Sequence, residues 1–168
     1  MTEQHAIIGR FINSNNSFEF QINIILEIIF DFIRKENEGS LKIDLIDYFH
    51  EASLNKRMEL LVFSLLTLNI GERKFDSEIL LLIEIKNSFT KKFQTTRDLV
   101  AHNPLIPIAG DYLITSSRRY KGKSNSIGID ELEKLSDDLA MINQSCNELA
   151  SMIQGKLKIE PVRDLPNK

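Results

Sequence analysis

Glu19, Asn23, Glu27 and Asp31 recur every four positions, and nearly everything between them over residues 18–33 is apolar. That period predicts a helix with one narrow polar stripe, buried on most of its circumference. The alternation Phe18-Glu19-Phe20-Gln21-Ile22 would suit a strand, but the longer period favours helix. Asn16 with Glu19 three residues later reads as a capping box that starts the helix, and Gly39 reads as its end. The pattern leaves open whether residues 3–13 form a separate helix or its front. A helix apolar on more than one side is central in a bundle or used in a dimer interface. Its stripe is expected to face water; the alternative is an active site to which Glu19 or Asp31 contributes.

Further along, residues 41–49 form a short amphipathic piece of open type. Leu60, Leu61, Phe63, Leu65, Leu66 and Leu68 predict a helix over 54–70, ended by Gly71. Asp76 can cap the next helix, with Asp76 and Glu78 near its positive end. Its stripe runs through Ile79, Leu82, Ile83, Phe89, Phe93 and Val100, and Asn103-Pro104 should stop it at about His102. Residues 105–128 differ. Tyr112-Leu113-Ile114-Thr115 is strand-like, residues 116–126 are polar and basic, and a loop or short hairpin fits. Asp130 with Glu133 forms a second capping box for a last helix carrying Leu132, Leu135, Leu139, Ile142, Cys146, Leu149, Met152 and Ile153. The sum is an all-α fold: a bundle of four to five helices with a short irregular or hairpin insertion before the last.

A chain of 168 residues, 42% hydrophobic and 27% charged, fits one well-packed domain. We expect residues 1–157 to form that domain and 158–168 a flexible C-terminal tail. The single Cys146 excludes an internal disulfide and a Cys-based zinc site, and reads as a buried small hydrophobe. The first residues do not resemble a secretory signal, and the acids in 18–33 argue against a membrane span. A cytoplasmic protein with no membrane partner is the expectation.

Charge changes the picture more. Residues 86–123 hold Lys86, Lys91, Lys92, Arg97, Arg118, Arg119, Lys121 and Lys123 against Asp98 and Asp111. This segment is +6, leaving −9 for the rest of a chain whose net charge is −3. A basic surface on an acidic body suits an anionic partner; the plainer alternative is a solvated helix end and loop.

Inside that segment lies Arg97-Asp98-Leu99-Val100-Ala101-His102-Asn103-Pro104. Arg and His suffice to cut RNA without a metal. A His, with an ordinary pKa of about 6.5, takes the proton of the 2′-hydroxyl or protonates the leaving oxygen. A permanently charged Arg holds the phosphate oxygens as charge builds. Positions five apart on an ideal helix diverge by about 140°, so a distorted helix end or a second subunit would help the two converge. No Gly-rich phosphate loop, Gly-x-Ser-x-Gly elbow or His-Glu-x-x-His helix is present, and no metal or cofactor is expected.

The stretch resembles the R-x4-6-H signature of HEPN domains, and the order of helices resembles theirs over residues 18–153. The resemblance implies a helical homodimer whose two motif helices form one composite cleft, and metal-independent RNA cleavage; attack by the 2′-hydroxyl would leave 2′,3′-cyclic phosphate and 5′-hydroxyl ends. Arg97 and His102 match the motif; Asp98, the polar residue after the Arg, and Asn103 complete the candidate catalytic set. Lys91, Lys92, Arg118, Arg119, Lys121 and Lys123 are the candidate RNA-binding residues. The resemblance also implies a defence role, in toxin–antitoxin or abortive-infection systems, with an antitoxin or other regulatory protein as partner. One subgroup of HEPN toxins carries a Tyr two residues after the His; here that position is Pro104, so regulation through that Tyr is not implied. The rival reading is a non-catalytic helical dimer that binds RNA, a nucleotide or a protein.

Overall fold

The computed structural model describes residues 3–36, 52–69, 74–103, 105–108, 111–115 and 126–157. The description includes five helices and one small sheet: α1 (Glu3–Glu36), α2 (Leu54–Leu68), α3 (Asp76–Lys92), α4 (Gln94–His102), β1 (Leu105–Ile108), β2 (Asp111–Thr115), β3 (Ser126–Gly128) and α5 (Ile129–Leu157). The fold is an all-α helical bundle, with the three strands as the insertion before the last helix. Gly39, the amphipathic piece at 41–49, Gly71, the basic stretch 116–125 and the tail 158–168 lie outside the described residues.

The expected start at Asn16 is wrong. α1 is continuous for 34 residues. The polar run Asn13-Ser14-Asn15-Asn16-Ser17 imitates a loop, yet the apolar stripe passes through it: Ile7, Phe11, Phe18, Ile22, Ile25 and Ile29 are all buried. Asn15 lies in line with them and is itself buried. Its amide donates to the Phe11 carbonyl one turn back (2.8 Å), while its Oδ1 has no hydrogen-bond partner among the described residues.

α2 starts after Ser53, whose extended backbone (φ −61°, ψ 151°) and carbonyl receive the Arg57 N–H. It ends at Leu68, and Asn69 then serves two helices. Its backbone N–H continues to Leu65, its Oδ1 accepts the Phe75 N–H (2.7 Å), and its Nδ2 donates to the Asp76 carboxylate (2.7 Å). Asp76 is thus the first residue of α3, with Phe75 at the cap and Asn69 supplying the side-chain acceptor.

The expected single helix from Asp76 to His102 is two. Phe93 separates α3 from α4; it stays in the right-handed region but its φ is widened to −109° (ψ −32°). The ladder nearly survives the break: Phe93 N–H still reaches Phe89 and Arg97 N–H reaches Phe93. β-branched Thr90, Thr95 and Thr96 surround the junction, where helix propensity is modest. The Asp130 capping box is also corrected. α5 begins at Ile129, so Asp130 sits inside the first turn, and the Glu133 carboxylate takes Arg10 of α1 (2.7 Å).

Contacts divide the chain into two compact units, Met1–Phe20 with Ile85–Gln144 and Gln21–Glu84 with Ser145–Lys168. The first holds a core of Ile7, Phe11, Phe18, Phe89, Phe93, Ile114, Leu132 and Leu139. Its sheet is antiparallel in the order β1-β2-β3, pairing Leu105 with Ile114 and Ile114 with Ile127. Pro107, which lacks a ladder donor, sits on edge strand β1. The second unit has a core of Ile22, Ile25, Leu26, Ile29, Met58, Leu61, Leu65, Phe75, Leu82, Leu149 and Ile153. Cys146 is buried in it, and desolvation pushes its thiol up to about 12, so it stays protonated.

Candidate active site on helix α4

The candidate site is built in the first unit, on α4. Phe93 is fully buried and its ring stacks on Phe89 (5.8 Å between centroids), which stacks in turn on Phe18 of α1 (4.2 Å). Aromatic pairs of this kind add about 0.5–1.5 kcal/mol beyond their burial. This stack sets the register of α1 against the α3–α4 junction. Glu19 follows Phe18, and Arg97 stands one turn beyond Phe93. The stack therefore brings Glu19 and Arg97 together: Arg97 Nη2 donates to Glu19 Oε2 at 3.2 Å, with side chains 42% and 26% exposed.

Leu99 and Val100 bury the opposite side of α4, and β2 runs beside it. Asp98 and Ala101 are exposed. His102 is the last residue of α4, and Asn103 leaves the helix in extended geometry (φ −128°, ψ 146°), as a residue before proline should. The Asn103 amide turns back to donate to the Leu99 carbonyl (2.7 Å), closing the helix end. The structure thus places Arg97 and Asp98 at a partly open helix face and Asn103 at its end. The side chains of His102, Lys91 and Lys92 lie outside the description, as do Arg118, Arg119, Lys121 and Lys123.

The polar stripe of α1 does more than meet water. Besides Glu19 with Arg97, Asn23 accepts from Arg57 Nη1 (2.7 Å), and Asp31 pairs with Arg34 (2.8 Å). Arg57 is buried, with Nε donating to the Ala52 carbonyl. In the chain this cation stands beside Lys56 and near Glu59, and nothing there sets it apart from a surface charge. Glu78, expected as a charge near a helix start, is fully buried and bonded to Lys156 of α5 (2.7 Å).

Among the described residues no three His, Cys, Asp or Glu side chains gather to hold a metal ion, and no helix is long and apolar enough to cross a membrane. No protein-family model, curated protein or solved structure matches the chain.

Proposed function

We propose that the protein is a metal-independent endoribonuclease of HEPN type, acting as a homodimer with Arg97 and His102 at a composite cleft. The observation that carries this reading is Arg97. It is a permanent cation, nearly half exposed, held at the surface by an aromatic stack on a short helix whose last residue is His102. Such a guanidinium can take two phosphate oxygens at once. His102 accepts the 2′-hydroxyl proton, the freed oxygen attacks the adjacent phosphorus, and the P–O5′ bond breaks. A second imidazole, from the other copy, returns a proton to the leaving 5′-oxygen. The products are a 2′,3′-cyclic phosphate and a 5′-hydroxyl. A dimer answers the helical geometry, because residues five apart diverge by about 140°, and a facing copy supplies the other half of the pair. The basic residues Lys91, Lys92, Arg118, Arg119, Lys121 and Lys123 track the RNA backbone in this reading. Defence or toxin–antitoxin service, with an antitoxin partner, is its biological setting.

The test is cleavage of a labelled single-stranded RNA pool in EDTA. Wild type should cut and leave cyclic phosphate ends; His102→Ala and Arg97→Ala should not. Full activity in both variants would sink the proposal. RNA binding without cleavage by wild type would favour the non-catalytic module instead.

A further inference from the structure

We infer that Glu19 is an electrostatic gate on Arg97: its carboxylate holds the guanidinium in the free protein, and an RNA phosphate must displace it to bind. The inference rests on reading Arg97 as the phosphate-binding group. The contact is of a kind that can be exchanged. It is a single Nη2–Oε2 approach of 3.2 Å rather than a two-pronged one, and it is partly open to solvent. Exposed pairs of this sort contribute little and are screened by salt, whereas a phosphodiester offers two unesterified oxygens to the flat guanidinium fork. Phe18, next to Glu19 in α1, stacks on Phe89 and so keeps the Glu19 backbone beside the α3–α4 junction, where its carboxylate competes for the guanidinium. The polar stripe of α1 thus reaches the site as a negative element that weakens binding rather than as a proton carrier.

The experiment measures fluorescence anisotropy of a labelled 2′-O-methyl oligoribonucleotide in EDTA. This probe lacks the attacking hydroxyl and cannot be cut by the proposed route. Wild type, Glu19→Gln, Arg97→Gln and the double variant are compared, with Glu131→Gln as a control for loss of one surface acid and thermal unfolding as a check on the fold. Glu19→Gln should tighten binding about two- to fivefold, the range an exposed pair can supply. The gain should vanish in the Arg97→Gln background and be absent in Glu131→Gln. Unchanged or weaker binding, no binding by any variant, or a gain that persists without Arg97 would overturn the inference. A wild type that cleaves RNA while Glu19→Gln binds unchanged removes the gate and leaves the nuclease. An Arg97-dependent gain in a protein that never cleaves removes the nuclease and leaves the gate.

Discussion

Two ion pairs in this protein each join residues 78 positions apart, and they differ in almost everything else. In the second unit, Lys156 reaches a Glu78 carboxylate that is fully buried. Lys156 also donates to the Lys74 carbonyl and lies over the Phe75 ring, and Ser77 donates to the same Glu78 oxygen. Burial alone would raise the Glu78 pKa, but bonds from Lys156, its own backbone N–H and Ser77, with the charge of Lys156, hold it below its ordinary value. In the first unit, Arg97 meets Glu19 at 3.2 Å, at longer range and in partial contact with water. The contrast is between a buried pair that is costly to break and a partly exposed one that is cheap to exchange, the property the proposed role of Arg97 requires.

The largest effect expected tests that division. Arg97→Ala and His102→Ala should each lower single-turnover RNA cleavage by about 10²–10⁴-fold, while thermal unfolding stays close to wild type. Lys156→Met should do the reverse. Leaving Glu78 buried and uncompensated should cost about 3 kcal/mol in urea unfolding, with cleavage retained in the folded fraction. A nuclease defect in Lys156→Met beyond its unfolded fraction would blur the contrast.

Acid sharpens the same point. Because the Glu78 carboxyl is held below its ordinary value near 4.5, its contribution is fully present above that pH and is lost as pH falls through the lowered value. Unfolding curves of wild type and Lys156→Met should therefore lie furthest apart near neutrality and converge in acid. A gap that widens below pH 4 would contradict this assignment. Asn23→Ala comes next, at about 1.5–2 kcal/mol, since it strips an acceptor from the buried Arg57 guanidinium. Smallest is Glu19→Gln, expected to change stability by less than about 1 kcal/mol; a larger loss would make Glu19 a structural residue.

Helical class, the order of the long helices and the strand-like Tyr112–Thr115 region were legible because apolar period reports the buried face directly. Two of the errors share one cause: a local polar signal outweighed by packing at long range. Asn15 and Asn16 look like a helix start, yet Phe11 and Phe18 carry the stripe across them. Asp130 and Glu133 look like a cap, but Glu133 is drawn to Arg10. The Phe93 break has no Gly or Pro to mark it, and the apolar stripe Phe89, Phe93, Val100 runs across it. At the candidate site, Arg97 and the stop after His102 could be read locally, and Glu19 was weighed only as an alternative. Its meeting with Arg97 depends on the Phe18–Phe89–Phe93 stack, which joins residues far apart in the chain. Buried Arg57 and the Glu78–Lys156 pair were illegible for the same reason: a charge is marked as buried only by a partner that the fold supplies.

The most direct test is end-group analysis of RNA incubated in EDTA with wild type and with Arg97→Ala, both shown to be folded. The account predicts 2′,3′-cyclic phosphate and 5′-hydroxyl ends from wild type and intact RNA from the variant. Equal cleavage by the two proteins, or wild-type products bearing 5′-phosphate ends, would contradict it.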